Sequence, residues 1–258
     1  YFVKGDYVMS LKYINDYPAD KHSRQENYIK GYSLYRLGRY REAISPLRTV
    51  CGAMDGLTQN ASYHLAECYL NTGDLQSATS AFSMASTDGF DEEIAENALL
   101  NYGRLKFELD GDVFNESINV LKRYLDKYPT SEHCPEVQTL LIAAYYNSKD
   151  YGSAYAAIKA FPNPDKELRM ALQKVAVFRA VDAVKEGNYD LAQSLLEEAE
   201  LIGISPKYKA LAIYWQGEIA MLKGEYEGAK QKYETYIRLA PKSDVEYLMA
   251  HYGMGYAM

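Results

Sequence analysis

The sequence predicts an all-α fold, an α-solenoid of about six to seven antiparallel helix pairs. Three observations carry this prediction. One short figure recurs seven times along the 258 residues. Apolar residues at helical spacing flank the copies, and prolines fall between them. No run of alternating apolar and polar residues competes as a strand.

The figure is a turn residue, usually glycine, then an apolar residue two positions on, then a small residue three further. It reads Gly5-Asp6-Tyr7 to Ser10, Gly38-Arg39-Tyr40 to Ala43, and Gly73-Asp74-Leu75 to Ala78. It returns as Gly111-Asp112-Val113-Phe114 to Ser117 and Lys149-Asp150-Tyr151 to Ala154, then as Gly187-Asn188-Tyr189 to Ala192 and Gly224-Glu225-Tyr226 to Ala229. The small residues lie 33 to 39 positions apart. Upstream of each turn a first helix is expected, as in Leu140, Leu141, Ala144 and Tyr145. Downstream a second is expected, as in Ala192, Leu195, Leu196 and Ala199. The turn glycine ends the first helix, and the small residue lets the second approach it closely. Tyr17-Pro18, Tyr128-Pro129 and Ala240-Pro241 end second helices, while Cys134-Pro135 and Ser205-Pro206 begin first helices. Pro46, several residues into a second helix, should remove a backbone donor and bend it.

These residues resemble the tetratricopeptide repeat family, whose unit is about 34 residues. The series Gly217, Gly224-Glu225-Tyr226, Ala229, Tyr233 and Pro241 fits the family pattern closely. The resemblance covers essentially the whole chain and is weaker around Phe114, where Asp110 to Val113 lengthens the turn. It implies a right-handed superhelix with approximate units 1–22, 23–57, 58–93, 94–132, 133–166, 167–204 and 205–243, and a partial unit 244–258. Because the array starts and ends inside a unit, the chain reads as a fragment of a longer protein. The stretch YLDKYPTSEHCPEVQTLLIAAYYNSKDYGSA is similar to the repeats of bacterial envelope proteins, outer-membrane assembly lipoproteins and periplasmic cell-division coordinators among them. That likeness implies the periplasm or cell envelope of a Gram-negative bacterium, with outer-membrane or cell-wall association through parts beyond this chain. A cytoplasmic home is the alternative.

A net charge of −7 offers no basic field for nucleic acid. The longest uncharged stretch, Leu75 to Thr87, is too short to span a bilayer. Cys51, Cys68 and Cys134 form no CxxC pair and read as buried free thiols. His22, His64, His133 and His251 are scattered, without the spacing of metal ligands. Phosphate-binding and nucleophile-elbow motifs are lacking, and Asp110 to Glu116 does not match a calcium loop. Adjacent acids such as Asp91-Glu92-Glu93 diverge on a helix and read as solvated surface. Neither an enzyme nor a cofactor or metal site is expected.

Surface remains, and tyrosine dominates it with 26 residues. Tyr28, Tyr32 and Tyr35 share one face of a first helix. The family arrangement places that face in a concave groove, with Tyr63, Glu67 and Leu70, Tyr146 and Asn147, and Tyr214, Glu218 and Met221 at corresponding places. Two readings stay open, helix packing and a platform for a polypeptide partner. Tyr40, Tyr189 and Tyr226 are assigned to packing, and Trp215 should turn to the core if Tyr214 faces the groove. Carboxylate-tail capture as in chaperone-binding repeats is disfavoured, since Tyr28, Tyr32, Tyr63 and Glu67 replace its cations and amides. The leading function is a protein-binding scaffold. The alternatives are contact with glycan or peptidoglycan, and a regulatory or localising segment of a larger multidomain protein.

Overall fold

The computed structural model describes residues 1–18, 21–87, 89–109, 116–161 and 163–257. Among them the chain is helical throughout, without a strand. The order is α1 (Tyr7–Asn15), α2 (Arg24–Arg36), α3 (Tyr40–Val50), α4 (Gly56–Thr72), α5 (Leu75–Ala85), α6 (Glu92–Leu109) and α7 (Glu116–Lys127). Then follow α8 (Cys134–Asn147), α9 (Tyr151–Lys159), α10 (Lys166–Lys185), α11 (Tyr189–Ile202), α12 (Pro206–Leu222), α13 (Tyr226–Leu239) and α14 (Val245–Tyr256). A 3-10 turn, Phe2–Lys4, precedes α1. Two compact units divide inside α8, Tyr1–Ala144 and Tyr145–Met258.

The turns show why these sequences stop one helix and start another. Gly5, Gly38, Gly73, Gly187 and Gly224 all take the left-handed conformation, φ 73° to 81°. The next residue's N–H then reaches back to a carbonyl five positions earlier, as Asp74 N–H does to Tyr69 O at 2.9 Å and Asn188 N–H to Ala183 O at 2.8 Å. This satisfies the last open carbonyls of the first helix. The same residue caps the second helix. The side chains of Asp6, Asp74, Asp150 and Asn188 accept from Met9, Ser77, Ser153 and Leu191 N–H at 3.0–3.2 Å. Lys149 holds the turn position at φ 61° without being glycine. The turn at 111–115 lies outside the described residues, and so do the lengthened turn and calcium-loop comparison there.

All seven small residues of the figure are buried, from Ser10 to Ala229. In the first unit α2 packs on α3, α4 on α5 and α6 on α7, and each pair stacks on the next. First helices also touch first helices, α2 with α4 and α4 with α6. The second unit repeats the scheme with α10/α11 and α12/α13, and with α10–α12 and α12–α14 contacts. Within each unit the first helices therefore line the inner side of the stack. Close approach needs absent side chains. Tyr233 lies between Gly217 of α12 and Gly253 of α14, where an added Cβ would come within 2.9 and 2.8 Å of its ring.

A polar staple joins successive pairs. Gln59 of α4 is buried; its amide N–H donates to Ala85 O and Thr87 O at 3.2 and 2.9 Å, and its carbonyl accepts from Asp91 N–H at 2.8 Å. Gln173 of α10 repeats this with Ala199 O, Ser205 O and Ser205 N–H at 3.0, 3.2 and 2.7 Å. Arg24 holds the same place in α2, donating to Val50 O at 2.9 Å and pairing with Asp55. Where Ala210 stands there instead, buried Tyr236 fills the core opposite. α3 runs through Pro46, which is buried. The thiols are free; Cys68 is buried, whereas Cys51 and Cys134 are only half-buried and bond to Leu47 O and Tyr128 O.

Candidate tyrosine faces on the first helices

In the first unit the α2 tyrosines form one ring cluster. Tyr28 and Tyr32 stack at 5.8 Å between centroids, and Tyr32 meets Tyr35 at 6.0 Å. Phe2 and Tyr7 pack edge-on against Tyr32 from the start of the chain, at 5.6 and 6.0 Å. His64 of α4 enters from the other side, 4.8 Å from Tyr32 and 4.7 Å from Tyr35. Its Nδ1 lies 3.0 Å from Glu67 Oε2.

The cluster divides by role. Tyr28, Tyr35, Tyr63 and Leu70 pack against the apolar core, so they are partly structural. Tyr28 also donates to Asn60 Oδ1 at 2.5 Å, tying α2 to α4. Burial pushes the Tyr28 phenol well above its ordinary range, and burial with a hydrogen bond to Glu67 does the same to Tyr35. Tyr63 is raised by burial, then by Glu67 and Glu93. Tyr32 instead lies on other rings and on Arg36, whose Nη1 donates to its hydroxyl at 3.0 Å. The Arg36 guanidinium sits 5.0 Å from the Tyr7 centroid and 5.7 Å from that of Tyr32.

The second unit carries a different cluster. Tyr146 meets Tyr151 at 5.6 Å and Phe178 at 6.1 Å, and Tyr151 stacks on Phe178 at 5.1 Å. Tyr208 of α12 closes on Phe178 at 6.2 Å. Lys174 of α10 lays its ammonium 4.0 Å from the Tyr146 centroid. Asn147 is exposed at the end of α8.

The structure corrects several expectations. Tyr214 does not face outward: it is buried against Tyr233 and Tyr236 of α13, at 6.0 and 5.3 Å, in the same cluster as Ala210. Trp215 packs against the core as expected, although it is only half-buried and is the more open of the two. Glu218 serves the interior too, accepting from Tyr233 Oη at 2.8 Å, while Met221 packs on the same core. Tyr40 and Tyr189 pack against their cores, but Tyr226 is 54% exposed and seals nothing. Cys51 and Cys134 are not fully buried, as noted above.

The residues that sequence reasoning passed over are Phe2, Tyr7, Arg36, His64, Tyr151, Lys174, Phe178 and Tyr208. Lys174 and Phe178, four apart on α10, were visible as one helix face. So were Tyr32 and Arg36, four apart on α2, and the others join their clusters through tertiary packing.

Stacked helix pairs with inner-lining first helices define a helical-repeat protein. A tetratricopeptide repeat model matches residues 28–89 and 179–244, and a model of the YfiO outer membrane lipoprotein family matches 94–166. The chain is a tetratricopeptide repeat protein. Among solved structures, the C-terminal part of a tetratricopeptide repeat protein from Cytophaga hutchinsonii is similar at 14% identity, covering 96% of each chain with a TM-score of 0.50. Another from Parabacteroides merdae is similar at 16% identity, covering 97% of this chain and 93% of that one, with a TM-score of 0.44. Curated proteins give no match.

Proposed function

We propose that the chain is a protein-binding scaffold whose tyrosine faces hold an extended or helical segment of another polypeptide. The carrying observation is the α2 cluster. Tyr32 is held by rings and Arg36 on the inner side of the stack, off the core that its neighbours complete. A rigid ring with a polar tip gives large contact area at low entropic cost. Glu67, Tyr146 and exposed Asn147 extend the faces, whereas Tyr214 and Glu218 belong to the core around Tyr233.

A photocrosslinking residue placed at Tyr32 tests this, with Ser80 on the exposed side of α5 as the control. Exposed to extract from the source cells, the Tyr32 site should trap a discrete polypeptide that the Ser80 site does not. Equal trapping at both, or none at Tyr32, would overturn the reading.

The match of residues 94–166 to an outer membrane lipoprotein family supports a place in the bacterial envelope. Fractionation of the source cells should then recover the protein with the envelope; recovery in the cytosolic fraction alone would refute it.

A further inference from the structure

Several cations lie over tyrosine rings, and their electrostatic surroundings differ. Lys127, over Tyr128, is also paired with Glu92 at 2.9 Å, and Lys159, over Tyr155, with Glu198 at 2.9 Å. Arg48, over Tyr69 and donating to its hydroxyl at 2.7 Å, has no ion pair among the described residues, but it lies on the second helix α3. Arg36 and Lys174 stand apart. On the first helix α2 the Arg36 guanidinium lies over Tyr7 and Tyr32, and on the first helix α10 the Lys174 ammonium lies over Tyr146. Among the described residues no carboxylate lies within ion-pair distance of either. In a chain of net charge −7, the acids are kept away from the one cation stacked on each tyrosine face.

A cation on an aromatic ring keeps most of its charge uncompensated, because the ring's quadrupole answers only part of it. Its remaining N–H groups are open to an anion, and a carboxylate there makes a charge-assisted hydrogen bond. Resting on the proposed function above, we infer that each tyrosine face selects an acidic side chain: the partner segment carries an Asp or Glu that pairs with Arg36 on the first unit's face, or with Lys174 on the second unit's. One cation per face suits a single side-chain carboxylate flanked by apolar or aromatic residues. Among the described residues these faces bring no second cation beside Arg36 or Lys174 to hold a terminal carboxylate.

Fluorescein-labelled, amidated dodecapeptides test this by anisotropy: four Gly-Ser-Glu repeats, with Gly-Ser-Gln and Gly-Ser-Lys versions of equal length. The acidic peptide binds most tightly. The Arg36→Gln, Lys174→Gln double variant weakens it about fivefold, the loss of roughly one exposed ion pair at each face, and either change alone leaves one face binding. Arg36→Lys retains most of the affinity, which separates lost charge from a disturbed face. Arg41→Gln and Lys122→Gln, exposed on the second helices α3 and α7, change nothing. Equal binding of the three peptides would overturn the charge selection while leaving a polypeptide-binding face intact. So would equal weakening by the second-helix controls, which would indicate bulk charge. Failure of the acidic peptide to bind also overturns the inference, and the crosslinking at Tyr32 reports independently on the scaffold reading.

Discussion

The two compact units share an interior and differ in their faces. In both, a buried glutamine staples one helix pair to the next through the same backbone positions, Gln59 to Ala85 and Gln173 to Ala199. In both, an alanine after the turn is fully enclosed, as at Ala43 and Ala229. The faces diverge: consecutive turns of α2 supply Tyr28, Tyr32 and Tyr35 in the first unit, while α8, α9, α10 and α12 each give aromatic rings in the second. The interior is held constant by close packing, which tolerates few shapes. A solvent-facing ring is under no such demand, so the faces carry what distinguishes one unit from the other.

The sharpest test of that division is a pair of tyrosines. Tyr214→Ala should cost about 3–5 kcal/mol, because it empties a buried aromatic site. Tyr32→Ala should cost under about 1 kcal/mol, since its ring completes no core. Urea unfolding of both variants checks this, and equal losses would abolish the distinction between face and interior.

Removing a staple should come next. Gln59→Ala or Gln173→Ala leaves buried carbonyls and one N–H without partners, costing roughly 2–3 kcal/mol. The two losses should agree closely; a large loss at one and none at the other would break the equivalence of the interiors. Ala43→Leu and Ala229→Leu should each cost roughly 1–3 kcal/mol by overpacking. An unchanged melting midpoint for either would show that its helix pair is not closed as described.

Alkaline titration tests burial in both units together. Tyr124 and Tyr155 are pushed up to about 12, chiefly by burial. Tyr236, in the second unit's core, likewise reaches about 12. The fold favours the neutral phenol, so this stabilisation is complete below the unfolded value near 10 and is lost as pH rises towards 12. Tyrosinate absorbance should therefore rise in two phases, the later one coincident with loss of helix. A single phase near pH 10 with helix intact would contradict the burial. The smallest expected effect is at Lys149, whose left-handed backbone the other described turns give to glycine. Lys149→Gly should stabilise by about 0.5–1 kcal/mol, and thermal unfolding would register a loss instead if that turn conformation is wrong.

Much of this architecture was legible in the sequence because turns and small residues are local signals. Gly-Asp followed by an apolar residue marks a helix end, a cap and a new start within three positions. The staples were not legible, since glutamine within a helix ordinarily reads as solvated; only its equal distance ahead of Ala78 and Ala192 could have exposed it. The face was legible in part. Spacing put Tyr28, Tyr32 and Tyr35 on one side of α2, but it also put Tyr214 outward. Whether a ring at that register lies open or covered depends on what the next helices bring against it. For Tyr214 this is Tyr233, seated over Gly217, together with Tyr236. Lys174 gains its meaning only from a ring on another helix, whereas Arg36 and Tyr32 stand four apart on α2.

The central claim is that the tyrosine faces bind a polypeptide while the interior merely holds them. Its most direct test is side-by-side capture from source-cell extract by the unaltered protein and by Tyr32→Ala, matched for helix content and melting midpoint. The account predicts a partner retained by the unaltered protein and lost from Tyr32→Ala at equal stability. Equal capture of the same partner by both would contradict it, and would assign Tyr32 to packing alone.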